Sequence, residues 1–376
     1  MKSLKYITVL YLFSMSVSAC MSANPKVPDG PSPYSPIAKN IIVYSIGGSV
    51  VSGIADSSAL KTARLRLPFT AGGINLYQNG ESLKWFTVQA VENSQKSSLS
   101  EQDKYLLVGL PELKSGELKF NYVMPEITWL PKLNASIIDS KTLTLQLQAL
   151  ITVGADEVYK NCDVNLVLNN SLGVDRISGH TFSLNSFDLY PKRNIVYNLD
   201  NKTSQYTFLR EWHTYLGKDE VRVLVQVKNP FSIDLNQTGF SVESNQISIE
   251  SGLIESQVRP GEILSLGAGT DDSIYTFRSV KITESADKKT LPFNHKISYK
   301  ITNKSNQEKK LRLVSSRVMG TDHRSVYHFK RQPDATPENT LIWILSLKPG
   351  VTETLEYDYD ADIKDVPGEN GFEAGG

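Results

Sequence analysis

Near the C-terminus, acids alternate with apolar residues in Leu355-Glu-Tyr357-Asp358-Tyr359-Asp360-Ala-Asp362. Asp358, Asp360, Asp362 and Glu369 fall at positions 1, 3, 5 and 12 of a calcium-binding loop, whose oxygens wrap a hard cation. Position 6 of that loop needs glycine for its sharp turn, and here it is Ile363, while Pro367 interrupts the second half of the loop. The spacing has a plainer meaning. Leu355, Tyr357 and Tyr359 face inward, and the acids form the wet face of an edge strand, which also protects an edge against aggregation. No metal site is expected, and Asp358, Asp360 and Asp362 are the nearest approach to one.

A second acidic pair, Asp271-Asp272, comes after Leu266-Gly-Ala-Gly-Thr270. Paired carboxylates do acid–base work when one pKa is raised. Neighbours on a strand point to opposite faces, however, and aspartates in turns commonly cap backbone amides, so a structural role is expected. The histidines are His180, His213, His295, His323 and His328, and no His-Glu-x-x-His or similar metal spacing joins them. An acid–base pair converging at Asp271 or His213 would favour an enzyme. Ser58-x-x-Lys61 opens like a penicillin-recognising motif, but no Lys-Thr-Gly occurs. No catalytic residue and no cofactor are expected. Four tryptophans could stack on sugar rings: Trp85, Trp129, Trp212 and Trp343. Trp343 is in phase with Leu341, Leu345 and Leu347 and belongs to a core. Trp212, between Glu211 and His213, is the candidate ligand contact, although packing is the more ordinary use of it.

The N-terminus carries a different chemistry. Lys2 and Lys5 precede an apolar run from Tyr6 to Val17, then Ser18-Ala19-Cys20. A membrane-spanning helix needs roughly 20 apolar residues, so this shorter run fits a secretory signal, residues 1–19, with small residues before the cut. Val17-Ser-Ala-Cys20 resembles the lipobox of bacterial lipoproteins, which implies a diacylglycerol on the Cys20 thiol. Each buried methylene is worth about 0.8 kcal/mol, and two or three chains make a stable anchor. Met21 stands where an aspartate would retain a lipoprotein in the inner membrane, so the resemblance implies the outer membrane. Prolines 25, 28, 31, 33 and 36 make residues 20–40 an extended tether, which at about 3.1 Å per residue reaches roughly 60 Å.

Forty Lys+Arg balance forty Asp+Glu, so no basic excess points to nucleic acid. The chain has two cysteines. With Cys20 acylated, Cys162 has no partner and the core stands without a disulfide; Cys162 lies in a strand-like run, where a thiol acts as a small buried hydrophobe.

The elements that must position these residues are strands. Leu143, Leu145, Leu147, Ala149, Ile151 and Val153 share one face of one run. Val221 to Val227 alternates likewise, as do Ile297, Tyr299 and Ile301. Asn79-Gly80 is a strong hairpin signal, and Arg259-Pro-Gly261 and Lys348-Pro-Gly350 carry the residues of type II turns. A short helix is admitted only around residues 98–107. The expectation is an all-β protein of antiparallel β-sandwich domains: an N-terminal β region over 41–125, a C-terminal one over 126–363 with a candidate seam near 211–220, and a frayed tail over 364–376.

From Gly116 to Ile363 the order of motifs resembles the C-terminal domain of mucoidy inhibitor A-like proteins, a bacterial domain of unknown function. Trp129-Leu-Pro131 leads into a strand, with Leu133 where that family has tyrosine and Tyr159 where tryptophan is usual. Pro260-Gly-Glu262, Tyr299-Lys-Ile301-Thr-Asn303 and the closing hairpin around Pro349-Gly350 come next in the family's order. The resemblance implies an envelope or polysaccharide context and no mechanism. Together these readings give a lipid-anchored envelope protein with a non-catalytic structural or binding role. Its partners would be the membrane, through the anchor, and an envelope protein or polysaccharide. Carbohydrate binding is the alternative, and a hydrolase with a loop-built site comes after it.

Overall fold

The structure is a computed structural model that describes residues 35–45, 47–56, 64–92, 104–110, 117–168, 180–216, 219–286, 289–317, 325–337 and 339–362. Cys20, the tether before residue 35, Ser58, Lys61, His323, Ile363, Glu369 and the tail lie outside the described residues.

Within the described residues every regular element is a strand. The first eight are β1 (Ile37–Tyr44), β2 (Gly48–Asp56), β3 (Arg64–Pro68), β4 (Gly72–Gln78), β5 (Glu81–Ser82), β6 (Thr87–Glu92), β7 (Lys104–Gly109) and β8 (Glu117–Met124). Then come β9 (Ile127–Ile137), β10 (Thr142–Val153), β11 (Tyr159–Leu168), β12 (His180–Leu189), β13 (Arg193–His213), β14 (Arg222–Lys228), β15 (Thr238–Ser244) and β16 (Ile247–Ile254). The last are β17 (Ile263–Thr270), β18 (Ile274–Glu284), β19 (Phe293–Asn303), β20 (Lys309–Ser316), β21 (Ser325–Phe329), β22 (Thr340–Leu347) and β23 (Thr352–Ala361). The all-β expectation is met. Lys104–Gly109, which overlaps the stretch where a helix was admitted, is strand β7, whose Leu106 to Val108 pair with β3 and β6.

The chain divides into two compact units that do not follow a boundary at residue 125. Ile54–Phe69 and Leu76–Lys119 group together, whereas Ala38–Gly53 and Thr70–Asn75 belong with the chain from Phe120 onward. The expected N-terminal region is thus shared between both units. The reason is long-range pairing: β1 lies parallel to β11, with Ile41 opposite Val164. In the first unit β3, β7 and β6 form a three-stranded sheet.

In the larger unit the longest strand pairs with three others in turn. The first part of β13 pairs with β10, and Tyr206 to Glu211 pair with β14. Its last residues, Glu211 to His213, pair in parallel with β20. The seam expected near 211–220 therefore falls at the end of one continuous strand, inside one compact unit. On one side of the core lie β20, β22 and the end of β13. Facing them is a four-stranded sheet in the order β18-β19-β23-β21. Strands of both layers fill a common core: Trp212, Tyr299, Leu313, Trp343, Leu355 and Tyr357 are among its residues. A fully buried side chain of this size contributes roughly 1.5–3 kcal/mol.

The turns form as their residues dictate. Asn79 and Gly80 take φ of 53° and 87°, which suits the two central positions of a hairpin turn. Gly261 and Gly350 take φ of 81° and 69°, and Glu262 and Val351 each donate back across the turn to Arg259 and Lys348.

Candidate functional site

The residues singled out by chemistry fall into three places. The first is the end of β13. Trp212 is fully buried at 0% exposure, with its ring edge-on to Tyr299 at 5.4 Å. It is not a surface contact, which corrects its assignment as a candidate ligand residue. Its polar neighbours Glu211 and His213 carry no information about its own exposure, because on a strand they point to the opposite face.

That opposite face does hold an acid–base row. His213 Nε2 lies 3.0 Å from Glu211 Oε2 and its Nδ1 lies 2.9 Å from the Tyr215 hydroxyl. Arg312 pairs with the other carboxylate oxygen of Glu211 at 2.5 Å. A neutral imidazole donating to the carboxylate would accept the phenolic proton at Nδ1. The cavity that Tyr215 lines with Thr214, Arg278, Ser315 and Ser316 measures about 10 Å³, room for one water molecule. At its wall the hydroxyls of Tyr299, Ser315 and Tyr357 are linked at 2.8 and 3.0 Å, and burial pushes the Tyr357 phenol well above its ordinary range.

The second place is Asp271. Its carboxylate accepts from Arg210 Nε at 2.6 Å, from Lys309 Nζ at 2.7 and 2.9 Å, and from the Ser273 hydroxyl at 2.6 Å. Burial opposes its ionisation, but the hydrogen bonds from Lys309, Ser273 and Arg210 outweigh it and hold the carboxyl well below the usual range. A carboxylate so depressed is a poor base at neutral pH. Asp271 also caps the Ser273 amide at 3.2 Å, as expected of a turn aspartate. The two cations come from 61 and 38 residues away, and no local signal in the sequence announces them.

The third place is the outer face of the β18-β19-β23-β21 sheet. Leu355, Tyr357 and Tyr359 point inward while Glu356, Asp358 and Asp360 point out. The alternation is as expected. The edge position is not: β23 lies between β19 and β21. Asn294 Nδ2 reaches Asp358 at 3.2 Å and Asp360 at 2.9 Å, and His328 Nε2 lies 3.2 Å from Asp360. Burial raises the Asp360 pKa, but hydrogen bonds from Asn294, His328 and Ser285 turn the net shift downward. Among the described residues no three His, Cys, Asp or Glu side chains are grouped to hold a metal ion.

Strand register places the rest of this face. Tyr275 sits opposite Thr302, Phe277 opposite Lys300, Ser279 opposite Ser298, and Lys281 opposite Lys296. Thr302, Lys300, Ser298 and Lys296 in turn sit opposite Thr352, Thr354, Glu356 and Asp358. Tyr275 and Phe277 are 56% and 46% exposed, and Lys304 Nζ stands over the Tyr275 ring at 4.9 Å. A shallow concavity of about 410 Å³ adjoins Thr354 and Glu356, lined also by Lys330, Arg331 and Glu353. Trp85, in the smaller unit, is the exposed tryptophan at 62%, whereas Trp129 and Trp343 are buried. The signal for the exposed rings of β18 in the sequence is Tyr275 and Phe277 at two-residue spacing, which places both on one strand face without stating that the face is the outer one.

No protein-family model matches the chain, and no curated protein matches it.

Proposed function

We propose that this is a lipid-anchored protein of the bacterial envelope that binds a partner rather than transforming one, with the outer face of the β18-β19-β23-β21 sheet as its contact surface. The observation that carries the proposal is the pair Tyr275 and Phe277, two large rings open to solvent on a face that is otherwise polar apart from Val326 of β21. Contiguous exposed apolar surface marks interaction sites, and these two rings are neighbours on one face of β18. A binding role is further supported by the two candidate acid–base centres. Asp271 is engaged by the side chains of Arg210 and Lys309, and of the Glu211–His213–Tyr215 row only Tyr215 borders a cavity, one with space for a single water. Anchoring is supported by the lipobox-like Val17-Ser-Ala-Cys20 and the proline-rich stretch behind it.

The same observation favours carbohydrate as the partner over protein. Two rings in line with hydroxyl and lysine side chains around them can stack on sugar faces and satisfy sugar hydroxyls at once. The test uses Cys20→Ser and the double variant Tyr275→Ala/Phe277→Ala in a Gram-negative host. Cys20→Ser should move the protein from the membrane to the soluble fraction and abolish the diacylglycerol mass increment. The double variant should keep its membrane location and lose capture of envelope material by roughly tenfold. Capture unchanged in the double variant would refute the assigned surface.

A further inference from the structure

We propose that the β18 side of this face binds an acidic polysaccharide: Tyr275 and Phe277 stack on sugar rings, and Lys281, Lys300 and Lys304 receive the anionic groups of the chain. The inference rests on the carbohydrate reading above and names the charge of its ligand.

Residues two apart on a strand share a face, so the two rings stand about 7 Å apart along β18. Phe277 has Lys300 directly across from it, and Tyr275 has Lys304 over its ring. Each ring is therefore accompanied by an ammonium group. Lys281 lies directly across from Lys296, whose charge is balanced by Asp358 on its other side, whereas Lys281, on the outer strand, is left to face the solvent. Among the described residues no ion pair joins Lys281, Lys300 or Lys304 to a carboxylate. The acids of the face lie on β23 and are engaged: Glu356 with Lys330, Asp358 with Asn294 and across from Lys296, and Asp360 with Asn294 and His328. The face is thus basic over β18 and β19 and acidic over β23, and charge complementarity directs an anionic chain along the first two strands. Nucleic acid has the same charge and also stacks on aromatic rings. The chain's formal net charge of zero lacks the basic excess such a binder carries, so a polysaccharide is the fitting polymer.

The test measures binding of the whole mature protein, held in detergent, to immobilised polygalacturonate and hyaluronan, with carboxyl-reduced polygalacturonate and oligo(dT) as comparisons. Expected is binding to an acidic polymer at least tenfold tighter than to the reduced one, weakening as salt rises. Tyr275→Ala/Phe277→Ala should lower the affinity roughly tenfold. Lys281→Gln/Lys300→Gln/Lys304→Gln should lower it to the level of the reduced polymer and flatten the salt dependence. All five side chains are at the surface, and unchanged thermal melting of the variants verifies that folding is intact. Equal binding of the carboxyl-reduced polymer overturns the inference while leaving carbohydrate binding in place. Tighter binding of oligo(dT) overturns it too. Failure to bind either acidic polymer overturns it as well, and envelope capture that still depends on Tyr275 and Phe277 would then leave the broader reading standing.

Discussion

Replacing Asp271 with asparagine should cost the C-terminal sandwich about 3 kcal/mol. The side chains of Arg210, Asp271 and Lys309 are 22%, 11% and 14% exposed, so these pairs lie between two regimes. Exposed pairs are worth about 0–1 kcal/mol, and breaking a buried one costs about 3–5 kcal/mol. Hydrogen bonds to a charged group contribute roughly 1.5–3 kcal/mol each, and asparagine keeps the one from Ser273. In a unit of this size the loss corresponds to about 6–12 °C in Tm. Urea unfolding monitored by tryptophan fluorescence reads it directly, since Trp212 and Trp343 lie buried in that core. The pH dependence has a definite sign. The folded pKa of Asp271 is depressed, so its contribution is full above the unfolded value of about 3.9 and fades as pH falls towards the folded one. The gap between wild type and Asp271→Asn should be constant from about pH 8 to 5 and narrow below about pH 4. Lys309→Met, which leaves the Arg210 pair, should cost about half as much. A difference under about 1 kcal/mol, or a gap unchanged at about pH 2.5, would refute the ion-pair account.

Two further outcomes test the packing. A Cβ at Gly267 would collide with the carboxylate of Glu250, which holds the Gly269 amide at 2.7 Å and Arg222 at 3.2 Å. Gly267→Ala should therefore lose about 1–2 kcal/mol, and the loss should shrink in a Glu250→Ala background when a double-mutant cycle is measured. Cys162 is buried in β11 and burial pushes its thiol up, so iodoacetamide should label it slowly in the native protein and quickly in urea. Rapid native labelling would contradict that placement.

The sequence by itself determined the fold class and much of the local geometry. Period-two alternation in β10, β19 and β22 states which side chains are buried, because successive strand residues point to opposite faces. Asn79-Gly80, Gly261 and Gly350 state where the chain reverses, because positive φ favours those residues. Trp343 was legible as core from its phase with three leucines. The site was legible only in part: the outward acids of β23 were visible in the alternation, but their neighbours were not. Only tertiary structure could bring Arg210 and Lys309 to Asp271, put Lys300 beside Phe277, set β23 inside its sheet, or bury Trp212 beneath a polar Glu211 and His213. Each of these depends on which strands pair and in which register. Pairing is decided by burial of whole faces between segments tens of residues apart, and local spacing carries no record of that choice.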